Sequence, residues 1–368
     1  MPDPTSPLTS TRPPSEPGSD LEGGRIDVAG DESAIVDAWP WATPSRLTGW
    51  FERNGFTPIL TALLVFVVAF VLFQVVIAPI VIGIGIAIDF ARNGETAPPD
   101  MGSVMEMVME NGQLLMTANT VGQILGFAVL ALVVARLHTP DVREYLRIRR
   151  ADASALGLAA LGWACLYPAV IWTGQLNGSI PLPEWLESLE QGQIDMIEGL
   201  LMGDSLSTGF LFIALALTPS VCEELLFRGY LQRQVERSWG TIMSIVLVGI
   251  FFGLYHLRLS QAIPLSLLGI YLGFVVWATG SLWSGFLVHL LNNGLAVVAT
   301  SVARNDPDLD LELIEAMGMP WYLGVAGLVL CIGVSRVLAA RRRAVAGDTP
   351  DAHPVRAIPL STPHPTLS

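Results

Sequence analysis

Long apolar blocks alternate with shorter polar segments along this chain. Eight of them, at about 57–88, 117–137, 152–172, 207–227, 241–257, 262–280, 281–301 and 320–339, are candidates for membrane-crossing helices. About 20 apolar residues carry a helix across a hydrocarbon layer about 30 Å thick. The first block is too long for one simple crossing, and Pro79 predicts a kink or the start of an interfacial extension there. The expected fold is all-α: a polytopic membrane helical bundle of about eight transmembrane helices. Residues 1–45 and 344–368 are rich in Pro, Ser, Thr, Gly or Asp and are expected to be disordered tails. The first of them lacks the basic start and apolar centre of a signal peptide. Between the tails, 46–151 holds the N-terminal helices, 152–301 a core, and 302–343 a loop with the last helix.

Composition sharpens this picture. Of the 368 residues, 52% are hydrophobic and only 14% charged, and the mean hydropathy of +0.53 lies outside the soluble range. The net charge of -13 argues against nucleic acid as a partner. All basic residues are arginine, which hints at a GC-rich, bacterial coding genome. Arginine-rich connections (Arg136, Arg143, Arg147, Arg149 and Arg150; Arg228, Arg233 and Arg237; Arg336 and Arg341 to Arg343) alternate with the acidic segments 89–116, 173–206 and 301–319. Short cytoplasmic loops retain arginine, so both termini are expected in the cytoplasm of a cell bounded by its inner or plasma membrane. Arg258 is the exception on the outer side. Cys165, Cys222 and Cys331 lie far apart inside apolar blocks, which suits neither a disulfide frame nor a thiolate zinc cluster.

Ionisable groups at bilayer depth are costly and mark function. Here they are Glu223, Glu224 and Arg228 at the end of block four, His256 at the end of block five, and His289 with Asn293 in block seven. His138, His353 and His364 fall in loops or tails. At 100° per residue Glu223 and Glu224 cannot share a helix face, whereas Glu224 and Arg228 are four apart and can pair. His289 and Asn293 share that spacing, as do Phe252 and His256. Pro219 should bend block four just before the site, and Gly253, Gly285 and Gly294 permit close helix contacts. Trp277, Trp283 and Trp321 suit interface anchors.

A glutamate, two histidines and an asparagine supply a general base, imidazole donors or metal ligands, and an oxyanion donor, a set suited to amide hydrolysis. In one arrangement Glu223 and His256 activate water while His289 and Asn293 stabilise the oxyanion. In the other, His256 and His289 bind Zn2+. No HExxH pair is present.

With "EELLFR" at 223–228, "FGLYH" at 252–256 and "HLLNN" at 289–293, each on its own expected helix, the chain resembles the CPBP (CAAX prenyl endopeptidase and bacteriocin-processing, or Abi) family of intramembrane proteases over roughly 152–301. The resemblance implies that Glu223 activates water, that Glu224 and Arg228 support the site, that His256 assists, and that His289 and Asn293 stabilise the oxyanion or bind metal. It implies membrane lipid and a membrane-associated peptide or protein as partners; eukaryotic members remove the last three residues of prenylated CAAX proteins. A non-catalytic immunity or scaffold protein of the same family is the alternative, and a transporter a third. One geometric conflict arises: counting along the blocks puts Glu223 near one membrane face and His256 near the other. Continuation of block four as a helix past Arg228 would remove it.

Overall fold

A computed structural model describes residues 47–93, 102, 111–202, 206–306 and 318–346; the expected tails, apart from 344–346 at the end of the last helix, and most of the acidic segments 89–116 and 301–319 lie outside them. Among the described residues the fold is all helical, with no strand. Its long helices are α1 (Pro58–Asn93), α2 (Gly112–His138), α3 (Ala153–Gly178), α4 (Glu184–Met202), the pair α5 (208–239) and α6 (241–255), α7 (Ala262–Thr279), α8 (Leu282–Asn305) and α9 (Trp321–Ala346). All but α4 are apolar enough to cross a membrane, with α5 and α6 forming one continuous stretch, Thr208–Tyr255. The chain is an integral membrane protein.

Gly240 separates α5 from α6. Its φ of 80° and ψ of 173° belong to a region that a Cβ would strain. Side-chain register shows that the chain reverses there. Arg228 and Gln232 of α5 donate to the carbonyls of Gly269 and Gly273, so α5 runs parallel to α7. Gly249 and Gly253 of α6 lie against Gly269 and Ser266, so α6 runs antiparallel to α7. The single apolar stretch therefore crosses twice, as blocks four and five predict.

The reversal also removes the conflict in depth. Block four does continue as helix past Arg228, to Trp239. Glu223 and His256 then lie about 25 Å and 24 Å from Gly240 along two antiparallel helices, at a common level. Arg228, Arg233 and Arg237, expected together in a connection, all lie on α5, and Arg228 and Arg233 are buried.

Wide π-helical turns interrupt α1 at Val71–Ile77 and α5 at Ile213–Leu217, each ending two residues before a proline, Pro79 and Pro219. Proline lacks the N–H that an α-helix needs, and a wider turn before it is one way to absorb the defect. A further π turn, Leu225–Leu231, follows the glutamate pair and contains Arg228.

The arginine-bearing connections gather at one end of the bundle. There Gly49 N–H donates to the carbonyl of His138, Leu282 N–H to that of Arg147, and Arg147 pairs with Glu236. Arg342 sits over the Trp277 ring at 4.3 Å. Arg258 lies at the opposite end with the start of α7, apart from the other clusters, as expected.

Candidate active site

The site is built on α5, α6 and α8. Glu224 and Arg228 form an i,i+4 pair at 2.9 Å, and both side chains are 0% exposed. Arg228 donates also to Gly269 O at 3.1 Å and stacks 4.3 Å from the Phe252 ring centre. A buried charge survives only when paired and hydrogen-bonded, and this guanidinium is held by a carboxylate, a carbonyl and an aromatic face. α8 reaches this pair because residue 285 is glycine: a Cβ there would stand 2.4 Å from Glu224 Oε2.

Four residues further, His289 meets the pair. Its Nδ1 lies 3.0 Å from Glu224 Oε1, and the ring is 2% exposed. A carboxylate oxygen accepts here, so Nδ1 carries a proton and Nε2 is turned outward. That atom stands 3.9 Å from Glu223 Oε2. The gap is too long for a hydrogen bond and short enough for one water to touch both atoms. Glu223 is 9% exposed, and its Oε2 makes no hydrogen bond.

His256 and Asn293 are placed differently. His256 Nδ1–H donates to Phe252 O at 2.8 Å, which again leaves Nε2 as the open atom, but on an exposed ring at the end of α6. Phe252 links the two histidines, its ring 5.0 Å from that of His256 and 5.7 Å from that of His289. Asn293 Nδ2 donates to Leu215 O at 3.1 Å. Leu215 is four residues before Pro219, so its carbonyl is the one that a regular helix would have bonded to the missing proline N–H. The carbonyl freed by Pro219 and one of the two Nδ2–H groups of Asn293 thus satisfy each other, which ties α8 to α5.

The turn after His256 is clamped from outside. Glu190 of α4, itself buried, accepts from Leu259 N–H at 2.6 Å and Ser260 N–H at 3.1 Å, while Asn177 bridges Leu259 O and Ile263 N–H. Burial pushes the Glu190 carboxyl up, but Ser260, these amides and the nearby Arg258 outweigh it and hold it below the usual carboxylate range. Sequence reasoning gave no signal for Glu190, one of several acids on α4.

His138 was expected in a loop. It is instead buried at the arginine end, Nδ1 2.7 Å from Glu52 Oε1 and Nε2 3.0 Å from the Tyr230 hydroxyl and 2.6 Å from Gln234 Nε2. Its partners lie 86 to 96 residues away, so no local spacing announces them.

Metal ligation was the other expectation for His256 and His289. Among the described residues no group of three or more His, Cys, Asp or Glu side chains is arranged to hold an ion. With Glu224 engaged by Arg228 and His256 turned to the rim, this donor set does not fit a zinc centre.

A protein-family model described as type II CAAX prenyl endopeptidase Rce1-like matches residues 205–295. That segment contains all three motifs and the six site residues read from the sequence, though not Glu190 or Asn177, and the resemblance to the CPBP/CAAX protease family is thereby shown over a narrower span than 152–301. No curated protein and no solved structure matches the chain.

Proposed function

We propose that this protein is a glutamate-dependent intramembrane endopeptidase that hydrolyses a peptide bond of a membrane-associated protein or peptide. The observation that carries this reading is the open Glu223 Oε2 and His289 Nε2 pair at 3.9 Å, mounted on the buried Glu224–Arg228 frame inside the Rce1-like segment. One water placed between them gives one hydrogen to each acceptor and aims its lone pair at a carbonyl carbon. As the O–C bond forms, Glu223 takes the water proton. As the C–N bond breaks, Glu223 returns that proton to the leaving nitrogen. Glu224 and Arg228 fix the His289 tautomer, Asn293 holds α8 against α5, and His256 assists at the mouth of the site. The arginine-rich end faces the cytoplasm in this reading, as short arginine-bearing loops do.

Purified protein in lipid nanodiscs, offered a farnesylated peptide ending in a CAAX sequence and a panel of membrane-protein tails, provides the test. Wild type is expected to release a C-terminal fragment and Glu223→Gln none. Equal cleavage by both would remove Glu223 from the mechanism. Full biological function retained by Glu223→Gln cells would favour the non-catalytic alternative, and Glu223-dependent solute flux would favour a transporter.

A further inference from the structure

Asn293 has a neighbour to which the HxxxN pattern gives no role. Asn292 fills one of its spacer positions, next in sequence and about 100° round the helix, near the middle of α8. Polar side chains at that depth are costly and find partners on adjoining helices. These two are joined to each other and to a helix on either side. Trp163 Nε1–H of α3 donates to Asn292 Oδ1 at 3.3 Å, Asn292 Nδ2–H to Asn293 Oδ1 at 3.2 Å, and Asn293 Nδ2–H to Leu215 O of α5 at 3.1 Å.

The two ends of this relay fix its direction. A carboxamide has two orientations of nearly the same shape, and only its hydrogen bonds choose between them. An indole N–H only donates, so Asn292 turns Oδ1 to Trp163 and is left with N–H for Asn293. A main-chain carbonyl only accepts, so Asn293 turns N–H to Leu215 and is left with Oδ1 for Asn292. Both requirements give one arrangement. The second Nδ2–H of Asn293 has no protein acceptor among the described residues. The carboxamide lies one helical turn from His289 on α8, and Pro219, whose missing N–H frees Leu215 O, lies one turn from Glu223 on α5. Turned over, the same carboxamide would offer a lone pair where it now offers that N–H, and a lone pair repels the negative charge that gathers on a carbonyl oxygen as water adds.

We propose that Trp163 and Asn292 are positioning residues that act through Asn293. They hold its Oδ1 occupied and keep its second Nδ2–H as the donor offered to the oxyanion. No proton changes owner in this role. The inference rests on the endopeptidase reading and on the oxyanion role that the family resemblance gives Asn293. It adds two residues outside the three motifs, one of them on a helix outside the matched segment 205–295.

The test compares wild type, Glu223→Gln, Asn293→Ala, Asn292→Leu and the double variant Asn292→Leu/Asn293→Ala in nanodiscs on the farnesylated peptide and tail panel. Leucine matches asparagine in shape and removes only the polar atoms. Asn293→Ala is expected to lower kcat about 10²–10³-fold. Asn292→Leu should lower it about 10- to 100-fold with KM within about twofold. Added to Asn293→Ala, the same leucine should change kcat by less than about twofold, because no carboxamide remains to be turned. An equal loss in both backgrounds, or a kcat for Asn292→Leu within about threefold of wild type, overturns the positioning role, and an inactive Glu223→Gln then leaves the endopeptidase standing. Cleavage of nothing by wild type overturns both. Should Asn292→Leu fold poorly, Trp163→Phe removes the indole N–H and keeps an aromatic ring. A kcat lowered about threefold or more in the wild-type background and unchanged in Asn293→Ala supports the inference, and the same change in both refutes it.

Discussion

Two buried histidines, His138 and His289, begin alike and end differently. Each has a carboxylate on Nδ1, Glu52 at 2.7 Å and Glu224 at 3.0 Å, and each is almost fully enclosed. At His138 the other nitrogen is also occupied, by Tyr230 and Gln234, within a stack of Phe51 and Tyr145. At His289 the other nitrogen is left open, facing a glutamate it does not reach. The difference separates a histidine used to join helices from one positioned to act. Burial alone does not mark a catalytic group; an unfilled valence inside a rigid, otherwise satisfied frame does.

The comparison breaks if the two sites respond alike to mutation. The largest expected effect is on activity: His289→Ala should lower cleavage by more than about 10³-fold, whereas His138→Ala should leave kcat per folded molecule within about twofold. Cleavage rates normalised to folded protein decide this. Next come the frames. Arg228→Met strands the buried Glu224 carboxylate and should cost about 3–5 kcal/mol. His138→Ala, which leaves neutral or partly exposed partners, should cost about 1–3 kcal/mol. Denaturation in mild detergent measures both, and equal losses would erase the distinction. Glu224→Gln removes the carboxylate charge that faces both the His289 Nδ1–H and the buried Arg228: a fall in kcat per folded molecule of about 10- to 100-fold is expected, with a loss of stability because the Arg228 guanidinium is left without its counter-charge.

The smallest effect concerns pH. Glu190 has a folded pKa below its ordinary value of 4.5. Its contribution to stability is therefore complete above about pH 4.5 and is lost as pH falls through the lower, folded value. Melting temperature should hold between pH 7 and 5 and then decline, and Glu190→Gln should flatten that acid limb. An unchanged limb in the variant would remove Glu190 as the clamp of the turn after His256.

Much of this was legible in the chain. Apolar block lengths placed the crossings because a membrane demands them, and the i,i+4 spacing of Glu224 and Arg228 foretold their pair because it is local. Gly285 was expected to allow close approach, and the atom it admits is a carboxylate oxygen of Glu224. What stayed hidden depends on partners remote in sequence. His138 looked like a loop residue because Glu52, Tyr230 and Gln234 lie on other elements. Asn293 shares a face with His289, yet its acceptor is created by Pro219 on α5. The apparent gulf in depth between Glu223 and His256 came from reading an arginine as a helix end, when the turn is made by Gly240.

The central claim is that Glu223 activates water against a peptide bond. It is tested most directly by comparing the C-termini of membrane proteins from cells carrying the wild-type chain with those from Glu223→Gln cells of equal expression. A defined set of termini should be present in the first and missing in the second, with intact precursors accumulating. Identical termini in both, with protein folded and in the membrane, would contradict it.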